Sequence, residues 1–147
     1  MERRTLLQAI STATFVPASV WAAETNLTSR EASDSSVVYE LRVYHAAAGK
    51  VTELLARFRD HTDKLFARHG MKSVAYWTPT DEPAKSNMLI YILRHPSREA
   101  ATANWKSFQD DPEWKSVKAK SEENGSLVDK VDSTYMAMTD FSPHLKG

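Results

Sequence analysis

RHGMKSVAYW, residues 68–77, is where the chain stops being a helix and becomes a strand, and the fold follows from that join. Upstream, the apolar positions 51, 54, 55, 58, 65 and 66 recur at the spacing of a helix with one buried stripe. Lys50, Glu53, Arg57, Asp60 and Lys64 take the opposite face. Arg68 and His69 fall in the last turn, where a cation meets the negative end of the helix dipole. Gly70 supplies the left-handed residue that closes a helix. His69 is therefore expected as a helix-end residue stacked below Leu65 and Phe66. From Met71 to Trp77 the chain alternates and carries β-branched and aromatic residues, which predicts a strand.

Working outward, VVYELRVY (37–44) alternates strictly. Val37, Tyr39, Leu41 and Val43 share one face and Glu40 and Arg42 the other, as in a half-buried strand whose charges lie on a solvated or interface side. After Trp77, TPTDEPAKSN reads as a loop and NMLIYILR as a central strand, so the two strands form an antiparallel hairpin. Ser97 caps a helix with Ala101, Trp105 and Phe108 inward. Asp111, Pro112 and Glu113 start another, which Gly125 ends. KVDSTYMAMTDF (130–141) alternates as a last strand. The order is strand, helix, strand, strand, helix, strand, the ferredoxin-like βαββαβ arrangement of an α+β fold, with helices on one face of an antiparallel sheet. An apolar outer face would then invite a two-fold homodimer, sheet against sheet.

The chain has 147 residues, enough for one domain. Nineteen basic and nineteen acidic side chains cancel, which argues against a general electrostatic grip on nucleic acid or on anionic lipid. Cysteine is absent, which excludes disulfides, thiolate nucleophiles and thiolate-held clusters. Residues 1–22 have the anatomy of a secretory signal peptide: Arg3 and Arg4, an apolar run from Thr5 to Val16, then small residues, with cleavage expected after Ala22. RRTLL partly matches a twin-arginine export motif, Glu2 standing where Ser or Thr is usual. The run is too short to span a membrane, so the expectation is a periplasmic or secreted protein with no stable membrane insertion after cleavage. Residues 23–36 read as a flexible leader and 37–147 as the folded domain.

YELRVYHAAAGKVTELLARF, RHGMKSVAYW, NWKSFQDDPEWKSVKAKS and TDFSP together resemble the NIPSNAP family, over about Val37 to Pro143. The resemblance implies a dimeric α+β barrel. That superfamily includes small cofactor-poor monooxygenases, haem-handling enzymes and members with no assigned activity, so fold is implied more strongly than reaction.

Five histidines, at 45, 61, 69, 95 and 144, show no metal-ligand spacing, and no transition-metal site is expected. A haem needs one axial histidine, for which His69 and His95 are the candidates. His69 is also the candidate catalytic acid or base. Tyr39, Tyr76, Trp77, Tyr91 and Trp105, with Tyr44 beside them, are the candidate walls of a cavity for a small apolar or aromatic molecule. The leading expectation is an exported homodimer that binds such a molecule. A monooxygenase or haem-binding enzyme, and a protein-interaction module without ligand, are the alternatives.

Overall fold

The first strand turns its charged side inward. The computed structural model describes residues 36–143 and 145. In it β1 (Val38–Ala46) lies at the middle of the sheet, flanked by β3 (Met88–His95) and β4 (Val128–Met136), with β2 (Lys72–Trp77) beyond β3. Every pairing is antiparallel. Between β1 and β2 run α1 (Val51–Arg57), a π turn (Phe58–Thr62) and α2 (Asp63–Arg68). Between β3 and β4 run α3 (Arg98–Asp110) and α4 (Pro112–Ser121).

The α+β architecture and the antiparallel sheet are as the sequence implies; the barrel is not. The strand order β2-β3-β1-β4 is linear, so β2 and β4 are edges, and the sheet does not close into a barrel. A barrel needs each strand paired on both sides.

Leu54, Phe58, Leu65, Phe66, Met71, Leu89, Tyr91, Leu93 and Phe108 form the core between the helices and one face of the sheet. Register decides which side chains join them. Glu40 lies opposite Leu93, Arg42 opposite Tyr91 and Tyr44 opposite Leu89, so the even positions of β1 face the helices. Tyr39, Leu41 and Val43 therefore lie on the outer face, half-buried, the reverse of the side expected for a solvated charge row. Glu40 is 1% exposed.

A β-bulge between Ser73 and Ala75 makes a second departure from simple alternation. The extra residue puts Ser73 and Tyr76, opposite Leu93 and Tyr91, on the same helix-facing side. The long helix expected from Val51 is interrupted at Phe58–Thr62 by the π turn, where the Thr62 hydroxyl donates to the Arg57 carbonyl oxygen at 3.2 Å. Beyond it, α2 ends at the predicted place: Gly70 has φ +75°, and a Cβ there would approach Asn104 Nδ2 to 3.0 Å. Ser97 caps α3 through the Ala100 amide, and Asp111 caps α4 through the Glu113 and Trp114 amides, both as the sequence implies. The last strand begins earlier than expected, at Val128, and ends at Met136. The export segment expected at residues 1–22 lies outside the described residues. Of the leader expected over 23–36 only Ser36 is described; its hydroxyl donates to the Pro96 carbonyl oxygen at 3.1 Å. Among the described residues no helix is long and apolar enough to cross a membrane.

Candidate functional site

Two neighbouring clusters occupy the helix-facing side of the sheet. The first is aromatic. Tyr91, fully buried at the centre of β3, has the rings of Tyr44, Phe58, Phe66 and Tyr76 between 5.2 and 5.9 Å from its own. Its hydroxyl has no hydrogen-bond partner of good geometry among the described residues. Burial first, and then the charge of the Tyr44 phenol, push its pKa well above the usual tyrosine value, so it stays neutral.

The second cluster is polar and centres on Glu40. Its Oε1 accepts from Arg42 Nη1 at 2.7 Å and from the Ser133 hydroxyl at 2.7 Å. Its Oε2 accepts from Trp105 Nε1 at 2.6 Å and from His95 Nε2 at 3.0 Å. Strands β1, β3 and β4 and helix α3 thus meet at one carboxylate. Burial is the largest single influence on Glu40 and favours the neutral acid, but the hydrogen bonds from His95, Trp105, Ser133 and Arg42 together outweigh it and hold the group at about 2. Burial likewise opposes the charge on Arg42, while Tyr44, Tyr91 and Glu40 favour it, and the net shift is upward. The guanidinium lies 4.2 Å from the Trp105 ring centre.

The aromatic cluster opens to solvent beside the π turn. A cleft of about 340 Å³ is lined by Leu55, Phe58, Arg59, Asp63, Tyr76 and Leu89. At its edge Asp63 Oδ1 accepts from the Tyr76 hydroxyl at 2.8 Å and from the Ser73 hydroxyl at 2.6 Å. Burial, with the Asp63 carboxylate adding to it, pushes the Tyr76 phenol above the ordinary tyrosine range. The cleft therefore offers apolar walls, one neutral phenol, one carboxylate and one guanidinium.

The aromatic residues expected to share a cavity are divided by the sheet. Tyr76, Tyr91 and Trp105 are on the helix-facing side, but Trp105 faces the Glu40 cluster and only Tyr76 lines the cleft. Tyr39, opposite Arg94, and Trp77, opposite Ile90 and 47% exposed, are on the outer face. His69 sits at the end of α2, where its Nε2 donates to Asp111 Oδ2 at 2.7 Å and its Nδ1 meets the Ser107 hydroxyl at 2.8 Å. It ties α2 to α3 and to the cap of α4. Neither histidine candidate fits a haem: both ring nitrogens of His69 are engaged, and His95 is fully buried with Nε2 given to Glu40. Among the described residues no three His, Asp or Glu side chains group as metal ligands.

Glu40, Arg42, Asp63 and Ser73 enter the two clusters without having been expected there. For Asp63 and Ser73 the signal is absent from the sequence, because the bulge that brings Ser73 to Tyr76 leaves no mark in the alternation. For Glu40 and Arg42 a signal exists: a Glu-x-Arg pair in a strand that the sheet order makes central.

Comparison with known proteins agrees with this architecture. A family model described as NIPSNAP matches residues 39–143. A NIPSNAP-like domain protein from Burkholderia xenovorans superposes with a TM-score of 0.65 at 16% identity, covering 76% of this chain and 93% of that one. A NIPSNAP family protein of unknown function from Agrobacterium tumefaciens str. C58 superposes with a TM-score of 0.63 at 21% identity, covering 76% and 96%. A second protein of that family from the same organism has a TM-score of 0.63 at 20% identity, covering 73% and 97%. At these identities the superpositions speak for the fold alone. No curated protein matches the chain. With the family model spanning β1 to the residues beyond β4, this chain belongs to the NIPSNAP family.

Proposed function

We propose that this protein binds a small, mostly apolar or aromatic molecule in the cleft beside the π turn, with Tyr76 and Asp63 meeting its polar edge. One observation carries the reading: an open cleft of about 340 Å³ has Phe58, Leu55 and Leu89 as walls and a neutral phenol held by a carboxylate at its rim. That size falls within the roughly 300–1,000 Å³ of small-molecule sites. The Tyr76 hydroxyl is committed to Asp63 and Ser73, so the rim orients a ligand group without reacting with it.

Two further features belong to this reading. The outer sheet face, with Tyr39, Leu41, Val43, Ile90 and Ile92, supports a homodimer. Arg3, Arg4 and the small residues ending at Ala22 support export to the periplasm or beyond.

The test uses 1-anilinonaphthalene-8-sulfonate as a planar apolar probe. Leu55→Trp fills the cleft from its half-buried wall. Wild type should bind the probe saturably with enhanced emission, and the variant about tenfold more weakly at an unchanged melting temperature. Equal affinity in the two proteins would remove the cleft as the site.

A further inference from the structure

Helix α1, the π turn and α4 line a second cleft, open to solvent and of about 390 Å³, whose walls include Ala56, Arg57, Asp60, Val117, Lys120 and Ser121. Its chemistry differs from that of the first. Arg57 is 5% exposed and already engaged: its Nη1 donates to Ser121 Oγ at 3.2 Å and Glu122 Oε1 at 2.9 Å. The other charges are divided between the walls. Asp60 stands on the π turn and Lys120 on α4, and neither forms an ion pair among the described residues. Glu53, also on the lining, is already taken by Lys50 at 3.2 Å. Ala56 and Val117 supply apolar surface from the two sides. The π turn itself is a departure from the regular helix of a kind that recurs at functional sites.

We propose that this cleft binds a small zwitterion with an apolar body, of the amino-acid type. Its ammonium group lies against Asp60. Its carboxylate lies against Lys120 on α4. Its apolar part covers Ala56 and Val117. The unpaired charges of Asp60 and Lys120 on the two walls then each meet an opposite charge.

The experiment is an amide-resolved NMR titration of the full chain with L-leucine, alongside isocaproate, which has only the carboxylate, and isoamylamine, which has only the ammonium. Leucine should shift amides in residues 53–61 and 116–121 saturably, and each half-ligand should bind about tenfold more weakly. Lys120→Met and Asp60→Asn are surface changes that leave the core intact. The first should abolish the advantage of leucine over isoamylamine, the second its advantage over isocaproate. Shifts absent from both segments, equal affinity for all three probes, or leucine binding untouched by both variants would each overturn the assignment.

Discussion

Glu40 keeps its charge where only 1% of the residue meets solvent, because four donors from four elements converge on its two oxygens. Removing it strands Arg42 and His95. Glu40→Ala should cost about 3–5 kcal/mol, read from the denaturant midpoint. The carboxyl sits at about 2 in the fold against an ordinary 4.5. Its folded value is the lower one, so its contribution is complete above about pH 4.5 and fades as pH falls toward 2. At about 1.4 kcal/mol per unit that contribution is about 3 kcal/mol. Glu40→Gln should flatten the acid limb of the stability curve in that window, and an unchanged limb would mean that other carboxylates set it. His69 is a smaller joint. His69→Ala should cost about 1 kcal/mol and, by removing the bond that most depresses the Asp111 carboxyl, raise that group toward its ordinary 3.8. Carboxyl-carbon NMR titration reads the shift directly.

At the scale of elements, boundaries were legible where a side chain closes them. Ser97, Asp111 and Gly70 each do in the structure what their position in the sequence implies, since a cap is a local interaction. The π turn and the β2 bulge were not legible. Each inserts one residue, and the apolar stripe of 51–66 tolerates the insertion because Phe58, Leu65 and Phe66 still reach the core. Beside its backbone hydrogen bonds, the π turn has a local side-chain support, the Thr62 hydroxyl on the Arg57 carbonyl. Thr62→Val, nearly the same in shape and fully buried, should lower stability by about 1 kcal/mol and speed amide exchange within residues 58–62 more than elsewhere. Uniform acceleration across the domain would instead mean that the turn does not open on its own. That turn forms one wall of both clefts, so the element hardest to read in the sequence is also the one on which both binding proposals rest.

For the whole molecule the decisive matter is which side of the sheet the helices cover. Alternation sorted the residues of β1 into two sets, and polarity suggested the wrong set for the interior. Pairing with β3 and β4, invisible to a local pattern, made β1 central and gave Glu40 and Arg42 the partners that let them be buried. The chain is a NIPSNAP-family member, as its sequence implies, but its sheet is open, with edges at β2 and β4, and not the closed barrel that the resemblance implies. Consequently Tyr76 and Phe58 belong to a cleft under the helices, and Tyr39, Trp77 and Leu41 to an apolar outer surface that offers a rival place for an apolar molecule. Intermolecular nuclear Overhauser effects between bound 1-anilinonaphthalene-8-sulfonate and the side chains distinguish the two faces. Contacts to Phe58, Tyr76 and Leu89 are the predicted result; contacts to Tyr39, Leu41 and Ile92 in their place would contradict it.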